Sequence, residues 1–315
     1  MAGGNETTWT GFIFIGFPDI LGSKSRLFVA FLFIYIMTVL GNFIIFLATT
    51  FNSSLQSPMY FLMGQLSFLD LCYISVTVPQ MLCNFLEERN IISHGGCVAQ
   101  LLLFISMEGT EALLLAAMAY DRYVAIRFPL NYPMIMNRVA CVLMVVAAWI
   151  GGLCNSLVHT VLTFSLPFCG SHQLNHYFCD IPPLLKISCR ETLANELVLF
   201  IVGGVGVGFS TFTFILITYI FIISTILKMS STDGKHKAIS TCASHLTVVM
   251  LFYVTAIFTY VRPSYTYSLQ RERVVSILYS VVTPMLNPII YSLRNKEIKR
   301  VVGIFFFKFY FKRTL

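Results

Sequence analysis

Five long stretches of the chain contain no Asp, Glu, Lys or Arg: residues 27–69, 139–179, 197–227, 238–261 and 274–293. A soluble globule cannot dress its surface without charge, so runs of this length need a solvent other than water. About 20 apolar residues carry one helix across a bilayer, and each of the first two runs is long enough for two crossings or for one crossing and a loop. In lipid every backbone N–H and C=O must be paired internally, which favours helices. The composition agrees, with 57% apolar and 11% charged residues where soluble proteins carry roughly 25% charge. The fold class is therefore all-α and polytopic, and a soluble enzyme, a nucleic-acid-binding protein and a disordered chain are excluded.

Seven spans are readable, at 27–49, 59–82, 98–123, 140–162, 196–226, 238–261 and 273–292. Pro58 opens the second and Pro263 follows the sixth, positions where the missing N–H of proline costs little. No repeat and no Gly/Ser-rich linker divides the chain, so residues 1–315 read as one domain: an N-terminus over 1–26, seven spans over 27–292 and a tail over 293–315. With the N-terminus outside, the cytoplasmic segments hold thirteen basic and three acidic residues, net +10, and the other side holds eight of each. The positive-inside rule then predicts a plasma-membrane protein with an extracellular N-terminus and a cytoplasmic C-terminus. Asn5-Glu6-Thr7 is a glycosylation acceptor on that side. The first span is expected to act as an uncleaved signal anchor, because no cleavage site follows an apolar core in the first 26 residues.

Four of nine cysteines, Cys97, Cys169, Cys179 and Cys189, fall on the oxidising side. Four cysteines allow three pairings. Cys72, Cys83, Cys141, Cys154 and Cys242 read as small apolar helix residues.

Three acids remain inside spans: Asp70, Glu108 and Glu111. Each costs at least roughly 2.5 kcal/mol at mid-bilayer if ionised and alone, so each needs a partner, water, an ion or a proton. Phe104, Glu108, Glu111, Leu115, Met118 and Arg122 follow helical spacing and form one stripe of the third span, roughly 27 Å long. Antiparallel second and third spans bring Asp70 and Glu111 to similar depth, where they share a cation or a proton or tie helices together through water. The seventh span carries Pro284, Asn287, Pro288 and Tyr291, a pattern that bends a helix and supplies an amide to the freed backbone groups. Residues 294–305 have a basic front and an apolar back, the pattern of a short amphipathic helix lying on the inner leaflet. No His-Glu-x-x-His, Gly-x-Ser-x-Gly or phosphate loop occurs, which argues against an enzyme.

Four segments carry a resemblance to a known family: Pro58-Met59-Tyr60-Phe61 with Leu66-Ser67-Phe68-Leu69-Asp70; Met118-Ala119-Tyr120-Asp121-Arg122-Tyr123-Val124-Ala125-Ile126; Lys237-Ala238-Ile239-Ser240-Thr241-Cys242-Ala243-Ser244-His245-Leu246; and Pro284-Met285-Leu286-Asn287-Pro288-Ile289-Ile290-Tyr291-Ser292-Leu293-Arg294-Asn295. In this register, on seven spans, the chain resembles a rhodopsin-like (class A) G-protein-coupled receptor of the olfactory, or odorant, group. The resemblance implies a receptor that binds small volatile molecules and activates an olfactory-type stimulatory G protein, raising cyclic AMP. It also implies the pairings Cys97 with Cys179 and Cys169 with Cys189. It places an inactive-state lock on Asp121 and Arg122, and coupling or switch positions at Tyr123, Tyr219, His245, Asn287, Pro288 and Tyr291. A sodium-type site would fall on Asp70, Glu111 and Asn42. The chain departs from the family pattern at Arg127-Phe128, where Cys-Asn is usual, at Val254, where Gly is usual, and at Glu108.

The ligand is expected in the outer half of the bundle, with Phe104, Ile105, Glu108, Gly109, Val207, Tyr253, Ala256, Ile257, Tyr260, Ile277 and Ser280 as candidate linings. Such a pocket is mostly apolar with a few polar anchors, which suits a small neutral molecule. Gly203, Gly204, Gly206 and Gly208 thin the fifth span and either widen that cavity or pack helices closely. An ionised Glu108 would favour an amine or a hydrogen-bond donor over an ester, whereas a protonated Glu108 would be structural. A non-olfactory chemosensory receptor of the same class and a seven-helix transporter are the alternatives. A transporter needs acids along a through-path, whereas these three cluster.

Overall fold

The computed structural model describes residues 11–16, 24–86, 90–169, 172–260, 274–294, 297–300 and 303. Seven helices in it are long and apolar enough to cross a membrane: α1 Lys24–Phe51, α2 Pro58–Leu86, α3 His94–Arg127, α4 Arg138–Phe164, α5 Leu193–Lys228, α6 Thr232–Tyr260 and α7 Val274–Tyr291, which continues helically to Arg294. All seven expected spans are present, most of them extended by a few residues beyond the expected limits. Local chemistry fixes several starts. Pro58 is the first residue of α2, Ser93 caps α3 by accepting from Gly96 N at 3.1 Å, and Asn137 caps α4 by accepting from Ala140 N at 2.9 Å.

α3 is the axis of the bundle: 78% of its apolar window is buried within the protein, against 22% for α1 and 11% for α5. It approaches α4 closely at paired glycines, where a Cβ on Gly109 would stand 3.2 Å from Gly152 Cα. α5 and α7 are not uniform α-helices. Leu199–Phe209 of α5 and Leu278–Val282 of α7 are wound with i to i+5 hydrogen bonding, the wider turn found at functional sites.

At the end of the bundle where α3 starts, three short strands form a cap. β1 (Gly11–Phe14) pairs antiparallel with β2 (Ile91–Ser93), with Gly11 opposite Ser93, and parallel with β3 (Gln173–Leu174), with Ile13 opposite Gln173. Phe12 and Phe14 are buried beneath this sheet. The charge and hydropathy pattern does not anticipate it, although Phe12 and Phe14 stand at the two-residue period of a strand. Two disulfides hold the long loop after α4, Cys97–Cys179 to the start of α3 and Cys169–Cys189 within the loop. These are the pairings implied by the resemblance, and the five remaining cysteines are unpaired.

Of the amphipathic tail helix, residues 297–300 are helical; residues 304–315 and Asn5 lie outside the described residues.

Candidate ligand cavity and transmission sites

Near the disulfide end, α3, α4, α5 and α6 line a cavity of about 410 Å³, within the usual range for small-molecule sites. Seven of the expected linings surround it: Ile105, Glu108, Gly109, Val207, Tyr253, Ala256 and Ile257. The wide-turn segment of α5 forms one whole wall, with Gly203, Gly204 and Gly208 among the lining residues. These glycines therefore shape the cavity rather than only packing helices. Phe200, Val205 and Phe209 line it as well while remaining exposed on the outer, lipid-facing surface.

Three of the expected linings are placed elsewhere. Phe104 stacks in an aromatic cluster, 4.7 Å from Phe178, 5.1 Å from Tyr73 and 5.8 Å from Tyr279 between ring centroids. Ser280 is bonded to the Tyr177 hydroxyl at 2.7 Å, and Ile277 is on α7, which contributes nothing to the cavity lining. The physical reason is the disulfide-anchored loop, whose Tyr177 and Phe178 are fully buried and fill the space between α3 and α7. The Tyr260 side chain lies outside the described residues. In exchange α4 supplies Asn155 and His159, which the pattern-based expectation omits. Their signal was present: two polar residues four apart in a charge-free run.

The loop is latched to α7 at three points. His176 Nε2 meets Ser276 Oγ at 2.8 Å, Tyr177 OH meets Ser280 Oγ at 2.7 Å, and Tyr279 OH donates to Asp180 Oδ2 at 2.9 Å. Asp180, one of the eight acids assigned from sequence to the outer, water-facing side, is instead 1% exposed and also accepts from Ile181 N at 2.8 Å. Burial, with the Asp180 charge adding to it, pushes the Tyr177 phenol far above its ordinary range. Gln100 fixes the disulfide, accepting from Cys179 N and donating to Val76 O, each at 2.9 Å.

Midway along the bundle, Asp70 is buried and its two carboxylate oxygens accept from Asn287 Nδ2 at 3.3 and 3.0 Å. Glu111 stands close enough to act on Asp70 electrostatically and lies beside the same amide. Asn42 Nδ2 donates to Pro284 O at 3.0 Å, bridging α1 to the proline turn of α7. The oxygens Asn42 Oδ1, Glu111 Oε1, Asn287 Oδ1 and Tyr291 OH are buried with no hydrogen-bond partner among the described residues. A set of orphaned hard oxygens beside two carboxylates fits a monovalent cation. No group of three His, Cys, Asp or Glu suited to a metal occurs among the described residues. A void of about 10 Å³, bordered by both Glu108 and Glu111, separates this cluster from the large cavity.

At the opposite end, Asp121 is fully buried, pairs with the Arg122 guanidinium, and accepts from Tyr132 OH at 2.7 Å. Burial, reinforced by the Asp121 charge, holds the Tyr132 phenol well above its usual range. Arg122, His245 and Tyr291 border a common void of about 10 Å³, so the sequence-expected switch residues converge. Tyr219 OH lies 2.9 Å from His245 Nδ1. Tyr123 packs its ring against Phe128 and Phe221, and Pro288 packs against α1, where a Cβ on Gly41 would stand 3.2 Å from its Cγ. Val254 faces outward, and Arg127 donates to Thr225 Oγ1 at 3.4 Å on the surface.

Residues 31–308 match the family described as Olfactory receptor. The chain belongs to the olfactory receptor family. Among relatives, Olfactory receptor 1G1 of Gorilla gorilla gorilla is 49% identical over 95% of both chains. Olfactory receptor 5A1 of Homo sapiens is 48% identical over 94% of this chain and 93% of its own. Squid rhodopsin has the same fold, with a TM-score of 0.71 at 17% identity, covering 92% of this receptor and 87% of rhodopsin. The receptor is thus a multi-pass membrane protein of the seven-helix rhodopsin type and not an enzyme.

Proposed function

We propose that this receptor binds small, mostly apolar odorants in the α3–α6 cavity and activates a stimulatory, olfactory-type G protein to raise cyclic AMP. The cavity at the disulfide end carries the reading: its wall is predominantly apolar, with few polar groups, and a small void bordered by Glu108 and Glu111 lies between it and the Asp70–Glu111 cluster. The cap, the disulfides and the Lys/Arg imbalance support an extracellular N-terminus and a cytoplasmic C-terminus, with Asn5 as the glycan acceptor.

A ligand shifts a two-state receptor only by its differential affinity for the states. Here the ligand touches α5 and α6 together, since Thr211 Oγ1 and Tyr253 OH are 2.6 Å apart beside the cavity. Drawing these helices to a new spacing moves the far end of α6, where His245 is held by Tyr219 and by Leu115 O. Release there frees Arg122 from Asp121 and opens a basic groove for the G protein. Asn42, Asp70 and Glu111 would hold a sodium ion at the pivot, beside the oxygens of Asn287 and Tyr291, and the bound cation would supply charge neutralisation.

Expression of the full chain with a stimulatory G protein, followed by cyclic AMP measurement across a diverse odorant panel, tests this reading. An odorant-dependent rise that is abolished by Arg122→Ala is expected. Ion flux without G-protein dependence would instead indicate a transporter.

A further inference from the structure

The cavity has a polar pole on α4. Asn155 and His159 are four residues apart, which puts them on one helix face with Cβ atoms about 6 Å apart, and both line the cavity. His159 is 3% exposed, and its Nε2 and Asn155 Oδ1 are buried without a hydrogen-bond partner among the described residues. Native proteins rarely leave such atoms unsatisfied, and each is costly. Two on one face of a cavity of about 410 Å³ mark where the polar atom of a ligand belongs. On the neighbouring helices a glycine faces each of these side chains. A Cβ on Gly203 of α5 would stand 3.1 Å from His159 Nε2, and one on Gly109 of α3 would stand 3.6 Å from Asn155 Nδ2. Glu108 lines the same cavity, and Phe200, Phe209, Phe212 and Phe252 add apolar surface to its wall.

We propose that His159 and Asn155 anchor the head group of the ligand and select a small molecule that bears a hydrogen-bond donor, a hydroxyl or a primary amine, on an apolar body. The proposal rests on the reading of this cavity as the ligand site and names what that site takes. Asn155 Oδ1 only accepts, so its partner must donate. The imidazole nitrogen takes either role according to tautomer. A hydroxyl that donates to Asn155 Oδ1 can accept from His159 Nε2, and an amine can donate to both. An ether, ester or ketone has no donor and leaves Asn155 Oδ1 unsatisfied. A carboxylate also lacks a donor and brings a negative charge near the carboxyl of Glu108.

The test uses purified full-length receptor in lipid nanodiscs and three probes equal in non-hydrogen atoms: 1-octanol, octylamine and heptyl methyl ether. Binding is read as the concentration that half-saturates the rise in thermal midpoint. At least one donor-bearing probe is expected to bind about tenfold or more tightly than the ether, the order of one buried hydrogen bond. The double variant His159→Phe with Asn155→Leu should erase that preference, and His159→Gln should keep it. The preference is a ratio within one variant, so a smaller folded fraction does not imitate its loss. Octylamine binding alone would mark a cationic head group near Glu108, and 1-octanol binding alone a neutral one; both support the anchor. The proposal is overturned if the ether matches the other probes, if none of the three binds, or if the double variant keeps the preference. Donor-selective binding without a cyclic AMP response from surface-expressed receptor would spare the anchor and sink the signalling role. Odorant-driven cyclic AMP with no donor preference would do the reverse.

Discussion

The Tyr219 hydroxyl and His245 Nδ1 are 2.9 Å apart, with the two rings stacked at 12°, while His245 Nε2 lies 3.1 Å from the Leu115 carbonyl. A carbonyl only accepts, so Nε2 carries the proton and Nδ1 accepts from the tyrosine. One imidazole thus ties α3, α5 and α6 together beside Arg122.

Replacing His245 by Leu removes both bonds and leaves α6 held at this end by packing and by the longer contact of Tyr219 OH with Cys242 O at 3.4 Å. Each bond contributes about 1 kcal/mol, so the balance between closed and open arrangements shifts about fivefold or more. The expected outcome is a rise of that order in ligand-independent cyclic AMP at matched surface expression. Basal signalling equal to that of the parent chain would show that the imidazole does not restrain α6.

Tyr279→Phe tests the loop latch. It removes the hydroxyl that donates to buried Asp180 at 2.9 Å. A buried acceptor left short of a donor costs about 1–3 kcal/mol, so the thermal midpoint of the purified receptor and its surface level should both fall. Ser280→Ala, which removes the partner of the Tyr177 hydroxyl, should lower the midpoint less because no carboxylate is involved. A midpoint unmoved by either change would mean that these two hydroxyl contacts do not hold the loop.

These contacts also show how far the chain can be read from sequence. The seven spans and the stripe on α3 are legible because helices in lipid obey one period and one solvent. The cap is not legible: strands of two to four residues derive their stability from partners some 80 and 160 positions away, and nothing local encodes such pairing. Asp180 reads as a solvated loop charge, because only the fold of the loop onto α7 brings Tyr279 to it. The same fold displaces α7 from the cavity lining and takes Phe104 and Ser280 with it. Asn155 and His159 escape notice because polar residues in a span more often bond across helices, and whether they face a neighbour or a void depends on α5, whose glycine-rich wide turn creates the void.

Gly203 links that turn to the size of the ligand. Valine at this position would place branched carbons against His159 Nε2, where even a Cβ stands 3.1 Å away, and would take up part of the cavity. The potency of the longest active odorants should fall about tenfold or more, with a smaller loss for the shortest, since a missing or extra methylene in an apolar pocket is worth about 1–3 kcal/mol. Dose-response curves over a homologous series check this. A uniform loss at every chain length would point to a folding defect.

The orphaned oxygens around Asp70 and Glu111 make the last expectation an ionic one. If sodium sits there, it binds only the native packing, so stability rises with sodium by mass action, and the oxygens Asn42 Oδ1, Glu111 Oε1, Asn287 Oδ1 and Tyr291 OH gain their missing partner. If the two acids instead share a proton, the site is neutral enough to ignore sodium. Thermal midpoints of purified receptor in sodium chloride and in choline chloride at equal ionic strength separate the two, because surface screening is then the same. A higher midpoint in sodium that disappears in Glu111→Gln is the expected result. Equal midpoints in the two salts would assign the pair to proton sharing, with Asn287 bonded to Asp70 as part of the tie between α2 and α7.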